Sequence, residues 1–176
     1  MTVDRPSPAA ASRKIGLIGL GSMGLGMARS LRRAGFDVAG YDVAKAAVDT
    51  FAAEGGRGAK SLAEVAAEAG VVVSVVVNAT QTEAVLFGDN GIAAALLPDA
   101  VFISSATMDP AITRRLAERL EASGRHYLDA PMSGGAAKAN TGELTFMACC
   151  TAAAFAAGSS LRKTRATTRP VSCTTA

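Results

Sequence analysis

The sequence predicts an α/β fold in which a parallel sheet is wound with helices on both faces. Three observations carry that reading. Short apolar runs of strand length alternate with stretches of helical periodicity. A glycine-rich turn joins the first run to the first helix, and an acid closes the second run. All three meet between Lys14 and Asp42, KIGLIGLGSMGLGMARSLRRAGFDVAGYD.

Ile15 to Leu20 is an apolar run too short for anything but a buried strand. Gly19, Gly21 and Gly24 follow at G-x-G-x-x-G spacing. Met27, Ala28, Leu31 and Ala34 then recur at helical spacing, and Gly35 marks the stop. The second strand, Phe36 to Tyr41, ends at Asp42, 18 residues past Gly24. Strand, tight turn, helix, strand and acid stand in the order of a dinucleotide-binding βαβ unit. Gly19 permits the turn, Gly21 lets the backbone approach a pyrophosphate, and Gly24 lets helix and strand pack closely. The N–H groups of Ser22, Met23 and Gly24 become unpaired donors at a positive helix end. The bland reading, a glycine turn that binds nothing, leaves Asp42 unexplained.

Asp42 also bears on the choice of cofactor. Its carboxylate can accept hydrogen bonds from ribose hydroxyls and repels a 2′-phosphate, so the reading is NAD. Lys45 is the route by which NADP would be accommodated. A plainer role for Asp42, capping the helix that begins near Lys45, is compatible with both.

The remaining elements follow in order. Ala44 to Ala53 reads as a helix, Arg57 to Ala59 as a weak strand, and Ser61 with Glu64 as a capping box opening a helix to Ala69. Val71 to Val77, β-branched almost throughout, reads as a strand buried on both faces. A helix with Ala84, Val85 and Phe87 follows Asn78. Val101 to Ile103 is a fifth strand, Asp109-Pro110 opens a helix through Ala122, and Tyr127-Leu128 is a sixth strand. Ligands bind at the carboxyl ends of such strands, which makes Val76, Val77, Ser105 and Thr107 candidates. Beyond the sixth strand lies DAPMSGG, Asp129 to Gly135. Ser133, Gly134 and Gly135 there suit either a small carboxylate or a mere flexible turn, and spacing alone favours the turn.

Composition excludes several classes. The chain has 176 residues and a formal charge of +3. Arg162, Lys163, Arg165 and Arg169 in residues 158–176 face no acid there, leaving 14 basic and 15 acidic residues in 1–157. The body is therefore near neutral, unlike a nucleic-acid-binding surface. No apolar run has membrane-spanning length. Three cysteines, two of them adjacent, make no disulfide framework or metal-ligand spacing, and a cytoplasmic location is the default. His126, the only histidine, precedes a strand away from the site loops. Arg114 and Arg115 read as a solvated helix face, while Met23 and Met27 fit either the core or the cofactor side.

Three motifs together, GLGSMGLGMARSL, SSATMDP and DAPMSGGAAKANTGELTFMA, resemble the β-hydroxyacid dehydrogenase family, which includes 3-hydroxyisobutyrate dehydrogenases. VNATQTEAVLFG is most similar to the L-threonate dehydrogenase branch. The resemblance, spanning about Lys14 to Ala148, implies a Rossmann-type domain with NAD held by Gly19, Gly21, Ser22, Met23, Gly24, Asp42, Val76, Val77 and Thr107. It implies that Ser133, Gly134 and Gly135 hold a hydroxy acid's carboxylate, and that the full-length protein is a homo-oligomer with a further all-helical domain. The family's catalytic lysine follows a G-x-x-G-x-G-x-x-x-K pattern that this sequence lacks, so neither Lys138 nor Lys163 inherits the role. The expected function is NAD-dependent oxidation of a small hydroxy acid, with this chain inactive by itself, and the alternative is a non-catalytic NAD-binding module.

The expected organisation is a disordered lead-in at 1–13, a dinucleotide-binding domain with its substrate loop at 14–157, and a basic tail at 158–176 that does not read as native family sequence. If a frameshift produced that tail, another reading frame downstream of the Ala148 codon should encode the glycine-lysine pattern. Finding it in no frame counts against the frameshift.

Overall fold

The computed structural model describes residues 14–150. The lead-in at 1–13, everything from residue 151 on, and the side chains of residues 149 and 150 lie outside the described residues. The elements are β1 (Lys14–Ile18), α1 (Ser22–Arg33), β2 (Asp37–Tyr41), α2 (Lys45–Ala53), β3 (Arg57–Gly58), α3 (Leu62–Ala66), β4 (Val71–Ser74) and α4 (Ala79–Phe87). Then come β5 (Val101–Ser104), α5 (Pro110–Glu121), β6 (His126–Asp129), β7 (Met132–Ser133), α6 (Gly135–Thr141), β8 (Thr145–Phe146) and β9 (Cys149–Cys150).

The main sheet runs β3-β2-β1-β4-β5-β6-β9. Its first six strands are parallel, and β9 pairs antiparallel with β6. The expected doubly wound fold is therefore observed, with strand order reversing between β1 and β4. Such a reversal opens a crevice at the carboxyl ends of the strands. Two apolar clusters fill the faces. One joins Val72, Phe102 and Tyr127 to Leu86 of α4 and to Leu116 and Leu120 of α5. The other joins Leu17, Met27, Val38 and Phe51. Val72, Phe102 and Tyr127 are register partners with no exposure, and burial of Val72 or Phe102 contributes about 1.5–3 kcal/mol each.

Local chemistry explains most boundaries. Ser61 Oγ accepts the Glu64 N–H at 3.2 Å, as the capping pattern requires. The reciprocal bond runs one residue earlier than in a standard box, with Glu64 accepting from Lys60 N at 2.8 Å. Asn78 and Asp109 cap α4 and α5 through their side chains.

Most element ends shift by one or two residues from the expected bounds, and two elements stop three residues short. α3 ends at Ala66 rather than Ala69, where a tighter turn from Ala69 N to Ala66 O brings the chain to β4. The valine run leaves the sheet after Ser74. Val75 N still bonds Ile18 O at 2.7 Å, but β1 then turns away at Gly19 and offers no further ladder partner. Val77 is consequently 80% exposed rather than buried.

The hairpin β7–β8 and helix α6 were not foreseen. α6 packs across α1, where a methyl on Gly26 would stand 2.9 Å from Ala139 Cβ. Ser30 Oγ donates to Ala139 O at 2.9 Å and Arg29 to Asn140 Oδ1 at 3.2 Å. Arg29 also grips Glu54 at the end of α2, and that hydrogen bond holds the Glu54 carboxyl below the usual range.

The turn from β1 into α1 is the tightest place in the fold. Gly19 has φ +93, and a Cβ on Gly24 would lie 1.7 Å from the Gly19 carbonyl oxygen. No rotamer relieves a clash between backbone and Cβ. Gly24→Ala should therefore destabilise the chain by about 3 kcal/mol, the upper end of ordinary overpacking, as read from urea denaturation midpoints.

Candidate functional site

A cleft of about 390 Å³ lies at the strand-order reversal. It brings together Gly19, Gly21, Asp42, Val76 and Val77 of the residues expected to form the site. Ser22, Met23 and Gly24 form the first turn of α1 at its edge. That helix starts with Gly21 as N-cap and no side-chain cap, so its first N–H groups have neither an intrahelical nor a side-chain acceptor. A Cβ added to Gly21 would meet nothing within 4 Å, so the space in front of these donors is open. The three glycines thus divide their work. Gly19 and Gly24 close the turn, whereas Gly21 keeps the approach clear.

Asp42 is tied directly to the glycine turn. Its Oδ2 accepts the Leu20 N–H at 2.6 Å and its Oδ1 accepts the Ala44 N–H at 2.8 Å. It does not cap α2, whose N-cap is Ala44 with no side-chain bond. Two of the carboxylate's roughly four acceptor positions are engaged, and the others remain for hydroxyl donors. Lys45, the alternative cofactor contact, points its ammonium at Asp49, 2.6 Å away. The walls are apolar: Val43 and Val77 are 92% and 80% exposed at the lip, with Leu62, Ala84 and Val85 below. Exposed valines of this kind are expected where a flat apolar ligand face is to be covered.

The other expected residues lie along the same carboxyl edge but outside this cleft. Thr107 is exposed beyond β5, following Ser105, whose N–H still bonds Ser74 O. Ser133, Gly134 and Gly135 are exposed past β6, where Ser133 pairs with Thr145 in the small hairpin. Gly134 and Gly135 have φ +136 and +73, a backbone path that side-chain-bearing residues rarely take. The Lys138 stem lies over Gly134, with its Cδ 3.0 Å from where a Cβ would be. Of the residues read as bland, Met27 is core and Met23 half-buried at the helix start. Arg114 and Arg115 are exposed, and His126 opens β6 at the sheet's opposite end. A larger apolar groove of about 700 Å³ lies between α1, α6 and the sheet and holds none of the expected site residues.

Sequence reasoning missed a polar row beneath this edge, in which Ser74 and Ser104 are fully buried and Asp129 is half-buried with its Oδ1 inside. Ser74, Ser104 and Asp129 are register partners on β4, β5 and β6. Burial pushes the Asp129 carboxyl above its usual range, and burial likewise raises the Tyr127 phenol beside it. The signal was available, since a serine ends each of two apolar strands. An acid whose folded value is raised contributes stability below its ordinary value near 3.8 and loses it as pH rises through the folded value. Asp129→Asn should therefore be more stable than the unmodified chain at pH 7, with the gap closing toward pH 4 in thermal melts.

Comparison with known proteins agrees with this geometry. The family model for the NAD binding domain of 6-phosphogluconate dehydrogenase matches residues 14–173. An L-threonate dehydrogenase of Cupriavidus necator is 50% identical over 144 residues, covering 82% of this chain and 48% of the relative. The mitochondrial 3-hydroxyisobutyrate dehydrogenase of Mus musculus is 36% identical over 138 residues, or 78% of this chain and 41% of the relative. A crystal structure of 3-hydroxyisobutyrate dehydrogenase from Salmonella typhimurium superposes with TM-score 0.76 at 42% identity, covering 81% of this chain and 50% of that one. The chain thus spans about half the length of the curated relatives it matches. The resemblance to hydroxyacid dehydrogenases, with L-threonate dehydrogenases among them, is borne out, as is the Rossmann-type fold. A nicotinamide dinucleotide is the cofactor class this domain serves. With a bare helix N-terminus at the strand-order reversal and an acid bound to the glycine turn, the chain belongs to the family of the NAD-binding domain of 6-phosphogluconate dehydrogenase.

Proposed function

We propose that residues 14–150 bind NAD, and that the whole protein oxidises a small hydroxy acid of the L-threonate or 3-hydroxyisobutyrate type. The observation that carries this reading is the uncapped, unobstructed first turn of α1 opening onto the cleft that Asp42 borders. The N–H groups of Ser22, Met23 and Gly24 would hold the pyrophosphate. Asp42 would accept from the adenosine ribose, and Val43, Val76 and Val77 would cover the adenine. Thr107 lies farther along the edge, toward the nicotinamide. Ser133 and the backbone of Gly134 and Gly135 would hold the substrate carboxylate. When bound, the nicotinamide supplies the hydride acceptor for the substrate's carbinol carbon.

The preference for NAD over NADP rests on Asp42 and on the engagement of Lys45 by Asp49. Charge-assisted hydrogen bonds of about 1.5–3 kcal/mol correspond to roughly tenfold or more in affinity. NADH should therefore bind more tightly than NADPH by fluorescence titration, and Asp42→Ala should weaken NADH about tenfold and narrow the gap. Asp42→Asn, which keeps an acceptor for the Leu20 N–H, separates loss of charge from loss of the turn. Equal affinities in the unmodified chain, or a loss of NADPH binding on Lys45→Ala, would refute the preference.

Gly21→Ala provides an independent check. With no neighbour within 4 Å of the added methyl, stability should hold within about 0.5 kcal/mol while NADH affinity falls. Hydroxy-acid turnover is not expected of these 176 residues by themselves. A positioned proton-transfer group contributes typically 10²–10⁴-fold, and the family lysine pattern is not among them. Incubation with NAD and L-threonate, 3-hydroxyisobutyrate or glycerate should give no NADH absorbance. Turnover near that of a full-length relative would mean that another group, Lys138 foremost, serves as the acid–base residue. As parts of the same reading, the protein is cytoplasmic and, at full length, a homo-oligomer, with no nucleic-acid partner. Among the described residues no helix is long and apolar enough to cross a membrane.

A further inference from the structure

Four side-chain oxygens on β4, β5 and β6 are buried without a protein hydrogen-bond partner: Ser74 Oγ, Ser104 Oγ, Tyr127 OH and Asp129 Oδ1. Ser74, Ser104 and Tyr127 have no exposure at all. Native interiors rarely leave such groups unmatched, and four together require a common explanation.

Strand geometry places them on one face. Ser74, Ser104 and Asp129 are aligned across three adjacent parallel strands. The row Val72, Phe102 and Tyr127 lies two residues earlier on the same strands, and side chains two apart share a face. All six therefore project toward α4 and α5, whose Val85, Leu86, Leu116 and Leu120 pack on the apolar row. The polar row is a lid on that core, directly beneath the strand ends. Neighbouring strands are about 4.8 Å apart, a spacing that one ordered water bridges, and these oxygens make no direct hydrogen bond to one another. Tyr127 lies close enough to feel both Ser104 and the Asp129 charge.

Each strand end in the row leads into a loop of the proposed site. β4 runs into Val75–Val77, β5 into Ser105–Thr107, and β6 into Asp129–Gly135. Backbone bonds from Ser105 N to Ser74 O and from Ala130 N to Ser104 O continue the ladder for one residue at each step. Beyond Ala130 the main sheet no longer holds the third loop, whose remaining support is the small hairpin and α6.

We propose that Asp129 is a positioning residue: through a buried hydrogen-bonded row with Tyr127, Ser104 and Ser74, it holds the root of the 130–135 loop in register with the two cofactor loops. Asp129 touches neither cofactor nor substrate in this scheme and acts through the loop it anchors. The assignment rests on the proposed function only in naming what the loop holds.

The test uses the full 176-residue chain and its Asp129→Ala, Asp129→Asn, Ser104→Ala and Tyr127→Phe variants. Hydrogen exchange of the amides from Ala130 to Gly135 and NADH affinity are both measured. Asp129→Ala should speed exchange across the loop tenfold or more while NADH affinity stays within about twofold. Asp129→Asn, which preserves hydrogen bonding, should restore most of the protection, and Ser104→Ala and Tyr127→Phe should speed exchange severalfold. A uniform rise in exchange over the whole sheet, failure of Asn to do better than Ala, or an unchanged loop would each overturn the proposal. If Asp129→Ala does not fold, the Asn, Ser104→Ala and Tyr127→Phe comparisons decide it alone. Absence of NADH binding in the unmodified chain would refute the proposed function while leaving the loop-anchoring result readable.

Discussion

The close approach of Gly24 to the Gly19 carbonyl sets the geometry of the first βα turn and of the cleft beside it. The first turn of α1 sits so tightly on the end of β1 that a methyl group would stand 1.7 Å from an oxygen. This contact fixes the direction in which α1 leaves the sheet, and so aims the bare N–H groups at the crevice between β1 and β4. Asp42 reinforces it from the next strand, its carboxylate gripping the Leu20 N–H. A residue whose charge faces the cleft also pins the turn that makes the cleft. The proposed binding site and the fold therefore share one short segment of chain.

The two halves of the carboxyl edge are held by different means. On the side of β1 and β2, backbone contact and Asp42 define the site directly. On the side of β5 and β6, loops leave the sheet after one extra ladder bond and are steadied by a hairpin, by α6 packed on α1, and by polar groups below. The first arrangement suits a rigid anion site, and the second suits a surface that meets a small ligand. The larger apolar groove between α1, α6 and the sheet is lined mostly by residues such as Ile15, Val73 and Ile103, with Ser30, Arg33 and Thr141 at its polar positions.

Much of this was legible in the sequence where local chemistry dictates structure. The glycine spacing, the helix period after it and the position of Asp42 specify the βαβ unit because each is a backbone requirement with few solutions. Periodicity extends the valine run to Val77 because it does not report where the neighbouring strand ends, whereas the turn at Gly19 frees the chain after Val75. Helix α6 is masked in the sequence because Gly134 and Gly135 read as a loop. The cues to it were Ala136, Ala137 and Ala139, all strong helix formers, and Gly142 in the left-handed C-cap position. Serines ending two apolar strands hint at the polar row, but its third member, Asp129, joins them only through the register of three separate strands.

In the proposed function, the helix N-terminus at Gly21 to Gly24 is an anion site for a dinucleotide. The most direct measurement is a crystal structure of the chain grown with NADH. Pyrophosphate oxygens should lie within hydrogen-bond distance of the Met23 and Gly24 N–H groups, with a ribose hydroxyl on Asp42. A dinucleotide seated instead in the groove between α1, α6 and the sheet, or absent from the cleft at saturating NADH, would contradict it.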